Sequence, residues 1–270
     1  MSQPPHEPTP KSAAAAPQPA GRDALLQRHR WLTFLLPLVL FMLITSLEPT
    51  SEKPGGAAIG LNIPYDYYPL VYTAKIILTT AAVLFVLPGY RQFPFRLSLL
   101  GAVVGVVGAV VWIGLCSLRL EQEVLVPLLK PIGLDGMIAA GTRSAYNPLK
   151  VLAARPVLAW GFLAVRFFGL VAVVAVIEEF FLRGFIMRLA VEADWWKVPF
   201  GKVNAAAVVL GTLIPVLMHP AELLAAVVWF SMITWLMVKT RNIWDCVLAH
   251  AVTNLLLGIY VVLWDAWHLV

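Results

Sequence analysis

Two adjacent carboxylates, Glu178 and Glu179, interrupt one of the most apolar stretches of the chain. Residues 167–177 (FFGLVAVVAVI) carry no charged or hydrogen-bonding side chain and lead straight into them; Phe180, Phe181 and Leu182 come next, then Arg183. An ionisable side chain at membrane depth costs roughly 2.5–3.5 kcal/mol on insertion scales. Two side by side, with an arginine one turn on, imply a catalytic or transport site. Glu179 and Arg183, four residues apart on one helix, share a face and can pair. Glu178 is rotated from Glu179 by about 100°. One carboxylate can therefore be held by the arginine while the other looks elsewhere, which suits a structural acid beside a chemical one.

Other spans offer matching groups. His219 closes the segment LIPVLMHPAE between Pro215 and Pro220, and prolines bend or end a helix and expose carbonyls near the imidazole. His250 and Asn254, again four apart in LAHAVTNLLLG, project from one face of the last helix. Histidine supplies a base, a proton shuttle or a metal ligand, and asparagine an uncharged donor for a developing oxyanion. Each also has a plain structural use: an interfacial histidine, a Glu–Arg clamp, an asparagine joining helices. Three separate spans each carrying hydrolase-type groups favour the chemical reading. A glutamate whose pKa is raised by burial can serve as a base near neutral pH. HExxH, GxSxG and glycine-rich phosphate loops are absent from the sequence, so zincin, serine-hydrolase and nucleotide chemistry have no motif support.

The elements that position these groups can be inferred from composition. The chain is 60% hydrophobic and 13% charged, with mean hydropathy +0.81; a soluble globular protein carries about 25% charged residues. The fold expected is all-α, a polytopic transmembrane helical bundle of about seven spans, eight at most. The spans are read at 31–47, 67–88, 97–117, 157–182, 203–219, 221–238 and 243–263. Residues 1–22 form a Pro/Ala-rich tail expected to be disordered, unlike an ordinary signal peptide. The stretch 118–156, with Pro127, Pro131 and Gly133, reads as a large extramembrane loop in which 124–140 could be an interfacial or re-entrant helix. Three parts result: the tail 1–22, N-terminal helices with the loop over 23–156, and a core over 157–263.

Basic residues concentrate in alternate loops. Arg91, Arg96, Arg188, Lys197, Lys202, Lys239 and Arg241 fall on the side shared with Arg22, Arg28 and Arg30, so the positive-inside rule favours an inner N-terminus. The net charge of +5 is thus about orientation, and a nucleic-acid partner is not expected. Cys116 and Cys246 lie in or beside apolar spans and read as free core residues. Lys75 reads as a snorkelling side chain, Arg166 as lying near the outer boundary, and Asp245 as a charge favoured by the helix dipole. Glu222, three residues after His219, could serve it. One tension is visible. At 1.5 Å per residue, Glu178, His219 and His250 lie about 18, 24 and 10 Å from the inner ends of their spans. Straight, flush helices would not bring them together.

The order of motifs resembles that of the CAAX-protease and bacteriocin-processing family of intramembrane endopeptidases. EEFFLRG (178–184) matches its EExxxR motif, His219 falls at the histidine of FxxxH, and HAVTN (250–254) matches HxxxN. Pro215 replaces the phenylalanine of the second motif. The resemblance covers roughly residues 157–263. It implies that Glu178 with His219 activates water, that Glu179 supports the site through Arg183, and that His250 and Asn254 stabilise the oxyanion. Such donors are typically worth ~2.7–4 kcal/mol each. Zinc held by Glu178, His219 and His250, or a metal-free glutamate mechanism, are both open. RSAYNP (143–148), the segment 239–261 and the closing tryptophans are similar to relatives found beside bacterial exosortase systems. That similarity implies a bacterial inner membrane, membrane lipids as surroundings, a membrane protein or peptide as substrate, and exosortase-system proteins as partners. The alternative is a non-catalytic binding, transport or accessory protein using the same pocket.

Overall fold

The computed structural model describes residues 21–133 and 146–269. Most of the tail, and residues 134–145 of the loop expected over 118–156, lie outside the described residues. The described residues are mostly helical, and no strand occurs among them. Helix α1 (Arg22–Arg28) meets α2 (Leu32–Thr45) at a bend of 96°. Next come α3 (Tyr68–Tyr90) and α4 (Leu99–Ser117), then the long α5 (Pro156–Val191). The short α6 (Ala205–Leu217), α7 (Leu223–Thr240) and α8 (Ile243–Trp264) complete the bundle.

Each segment read as a span carries a helix, but the count differs. Five helices are long and apolar enough to cross a membrane, or six if the bent α1–α2 pair is one span. The segment 203–219 is the shortfall: α6 has 13 residues, where about 20 are needed to span the hydrocarbon core. The chain breaks at Met218–His219, next to Pro220. The stretch 118–132, read as loop, is largely helical and runs on from α4. Its prolines do not end it: Pro127 lies in Val126–Leu129 and Pro131 in Lys130–Ile132, and the residue before each piece stays in the right-handed helical region.

Local chemistry sets the helix starts. Ser98, Asn204 and Asn242 precede α4, α6 and α8, and their side chains accept from Gly101, Ala207 and Trp244 backbone N–H groups, satisfying donors that a helix start leaves open. Asp245 does more than face a dipole: it is buried, and its Oδ1 accepts from the Ser98 N–H at 2.8 Å, tying α8 to the start of α4. Glu121 likewise reaches across to accept from Leu224 N–H at the start of α7.

Helices α4 and α8 approach each other closely. A Cβ at Gly105 would lie 2.7 Å from the Ala249 carbonyl oxygen, and one at Gly108 would lie 3.0 Å from Thr253 Oγ1. Small residues at this spacing let backbones approach where lipid offers no hydrophobic drive. Gly184, in EEFFLRG, has the same use: its Cβ would lie 2.6 Å from the Phe34 ring. Phe34 also stacks on Phe180 and Phe185, which fixes α2 against the carboxylate-bearing stretch of α5. Leu70, Ile77 and Leu84 recur every seven residues on α3 and are all exposed. That outward apolar stripe, repeated on other helices, suits lipid as its solvent. The chain is an integral, multi-pass membrane protein.

Candidate active site

Glu178, His219, His250 and Asn254 line one cavity of about 450 Å³, within the range of small-molecule and peptide sites. The depth tension is resolved by irregular helices. α5 is wound as π-helix over Gly169–Val174 and Phe180–Ile186, on either side of the glutamates. Each π turn inserts an extra residue and re-aims the side chains beyond it, a device common at functional sites. His219 lies beyond the end of α6, in the break, rather than on a straight rod.

The two glutamates face different surroundings. Glu178 borders the cavity, whereas Glu179 and Arg183 are wholly buried behind it. Arg183 Nη1 donates to Glu179 Oε1 at 3.4 Å and its Nε lies 3.3 Å from Oε2; Nη2 donates to the Phe230 carbonyl. Glu179 Oε1 also accepts from His250 Nδ1 at 2.9 Å. The carboxylate therefore joins Arg183 to His250, a link the sequence spacing did not show. Because a carboxylate accepts, Nδ1 carries the proton there, and Nε2 is the ring atom left for the cavity.

His219 is fixed by a similar rule. Its Nδ1 lies 2.8 Å from the Pro215 carbonyl oxygen, which can only accept. Nδ1–H donates, and Nε2 of the neutral ring keeps its lone pair. The proline that departs from the family motif thus supplies the carbonyl that orients the histidine. The ring meets Trp112 edge-on and lies against Phe230. His250 packs against Trp229, whose Nε1 donates to Thr253 Oγ1, which in turn donates to the Gly105 carbonyl. The close α4–α8 seam therefore supports the histidine. Asn254 donates from Nδ2 to the Leu170 carbonyl at 2.8 Å, inside the first π turn, and so has one amide hydrogen already committed.

Several polar groups of this cavity escaped sequence reasoning. Lys75 does not snorkel. It is buried, pairs with Glu48, and lies over the Phe41 and Tyr72 rings. Arg166 is buried and borders the same cavity, with Nη1 donating to the Tyr146 carbonyl at 2.8 Å. The available signal was a charge in mid-span, which in apolar surroundings implies a partner. Glu222 is buried next to the break but is not among the residues lining the cavity.

Glu178, His219 and His250 share the cavity; no three His, Cys, Asp or Glu side chains among the described residues are grouped to hold an ion.

RSAYNP is anchored rather than free at its end. Asn147 caps Pro148–Val151 and donates to Asp265 Oδ1 at 2.8 Å, beside Lys150 and Trp267 Nε1. Lys150, foremost, and the two donors hold the Asp265 carboxyl below its ordinary range. Tyr146 stacks on Tyr68, and burial pushes its hydroxyl up to about 12.

No curated protein and no solved structure matches this chain. Residues 160–256 match the family model described as type II CAAX prenyl endopeptidase, Rce1-like, and that stretch includes Glu178, Glu179, Arg183, His219, His250 and Asn254.

Proposed function

We propose that the chain is an intramembrane endopeptidase that hydrolyses a peptide bond of a membrane-associated substrate. One observation carries the reading: Glu178 of α5, His219 in the break after α6, and His250 and Asn254 of α8 border one cavity, with Glu179 and Arg183 buried behind them. The match over residues 160–256 supports it. In this reading Glu178 accepts a proton from water while His219 Nε2 holds that water. The water oxygen attacks the peptide carbonyl carbon. The remaining amide hydrogen of Asn254 steadies the oxyanion, together with His250 in its doubly protonated form, which keeps Nδ1–H on Glu179 and turns Nε2–H to the cavity. Collapse breaks the C–N bond, and the proton taken from water passes to the leaving amine. Glu179 acts as a positioning residue through His250 Nδ1.

The proposed setting is a bacterial inner membrane with the N-terminus inside, in association with an exosortase system. It rests on the basic loops and on RSAYNP with the C-terminal sequence. The test is comparison of protein termini in membranes expressing the wild type or Glu178→Gln. New termini are expected with the wild type alone. A Glu178→Gln protein that folds and yields the same termini would overturn the assignment. Substrate retained uncut by the wild type would favour the second reading, a binding or accessory protein, which the Pro215 departure from the family motif supports.

A further inference from the structure

A second cavity, of about 290 Å³, lies at the basic end of the bundle and shares no lining residue with the proposed site. Three junctions form it: the α3–α4 loop at Gln92–Pro94, the segment after α5 at Trp196–Phe200, and the α7–α8 turn at Arg241–Ile243. These are places where helices end, so the cavity opens at the depth of the membrane–water boundary. Arg188, Lys197 and Arg241 line it, and no carboxylate does.

Arg188 is the informative member. It is more than nine-tenths buried. It donates to the carbonyls of Val198, Gly184 and Trp196, and no Asp or Glu lies in salt-bridge range among the described residues. Carbonyls take three of its five N–H groups but leave its charge uncompensated, and a buried cation without a counter-charge is costly. Its guanidinium is held between the Phe93 and Trp195 rings. Arg241 is held at the rim in the left-handed region (φ 51°), its stem against Gly201, where a Cβ would meet Arg241 Cγ at 2.7 Å. Among the described residues, Lys197 alone of the three cations has an acidic partner, Asp194, on its exposed side.

We propose that this cavity binds the phosphodiester headgroup of an anionic phospholipid. Fixed guanidinium groups, aromatic walls and a mouth at the boundary fit a phosphate that arrives with acyl chains, and basic pockets between membrane helices recognise such headgroups. The site is independent of the proposed hydrolysis.

The test titrates the full-length protein, purified in neutral detergent, with short-chain phosphatidylglycerol, with phosphatidylcholine of the same chains, and with inorganic phosphate. Retention is read by native mass spectrometry, and stabilisation by thermal unfolding. Phosphatidylglycerol is expected to bind at least tenfold more tightly than phosphatidylcholine. Arg241→Gln and Lys197→Gln should each weaken it about fivefold, as expected for one basic contact near an anionic headgroup. Arg91→Gln, on the same end but outside the cavity, should leave it unchanged. Equal binding of the two lipids would overturn the proposal. So would loss with Arg91→Gln as large as with Arg241→Gln, which would show a diffuse surface field. Phosphate binding as tightly as the lipid would overturn the lipid assignment. Arg188 is left intact because its carbonyl bonds hold the loop, so every variant tested is expected to fold.

Discussion

Replacing Glu179 by leucine tests the division of labour between the two glutamates. Glu179 is the counter-charge of Arg183, and both are fully buried. Removing it strands a guanidinium that still donates to the Phe230 carbonyl but has lost its counter-charge, and breaking such a pair from one side costs about 3–5 kcal/mol. His250 Nδ1–H also loses its acceptor, worth about a further 1–3 kcal/mol if nothing replaces it. For a chain of this size about 1 kcal/mol moves the midpoint by roughly 2–4 °C, so a fall of at least about 6 °C is expected. The assay is thermal unfolding in one detergent, monitored by tryptophan fluorescence. Glu178→Leu is the internal control: that side chain borders the cavity, and its loss should cost far less. The double variant Glu179→Leu/Arg183→Met removes both charges, and swapping a buried pair for apolar groups of similar size is often neutral. It should recover most of the loss. Equal effects of leucine at 178 and 179, or a double variant no more stable than Glu179→Leu, would refute the assignment of Glu179 as the buried partner.

Other expectations use different contacts. Gly105→Val should lower stability by about 1–3 kcal/mol, the usual range for overpacking, because even its Cβ would lie 2.7 Å from a backbone oxygen of α8; unfolding midpoints check it, with Gly114→Val, where a Cβ meets nothing within 4 Å, as control. Asn254→Asp should be less stable than Asn254→Ala at pH 7, since a carboxylate cannot donate to the Leu170 carbonyl and the two acceptors repel; the order of midpoints decides. His219→Asn keeps a donor near the Pro215 carbonyl but loses the Nε2 lone pair, so it should fold normally and lose peptide cleavage, which terminal proteomics would show. Asp265 has a depressed carboxyl pKa, so its contribution is present above the unfolded value near 3.9 and is lost as the pH falls through the lower folded value. Hydrogen exchange over residues 147–151 should therefore speed up below about pH 4, and Asp265→Asn should remove that change.

The range of each interaction decides whether the sequence makes it legible. The Glu179–Arg183 pair is local, so four-residue spacing foretells it. The Glu179–His250 bond joins residues 71 apart, and nothing in either segment specifies it. Hydropathy locates the apolar segments but does not register a helix that stops after 13 residues or bends by 96°. It also misreads prolines that lie within short helices as loop markers, as at 127 and 131. The π turns leave no trace in composition, yet they dissolve the depth tension, because an inserted residue changes both the height and the azimuth of every group beyond it. The same logic explains Pro215. Sequence comparison presents it as a departure that could spoil the second motif. In the fold its carbonyl accepts from His219 Nδ1, a role that belongs to the backbone and is therefore open to any residue at that position. The helix runs on through Pro215 to Leu217 and ends just before Pro220, which has no N–H to carry it further. That end puts His219 in a break where its ring can turn toward the cavity.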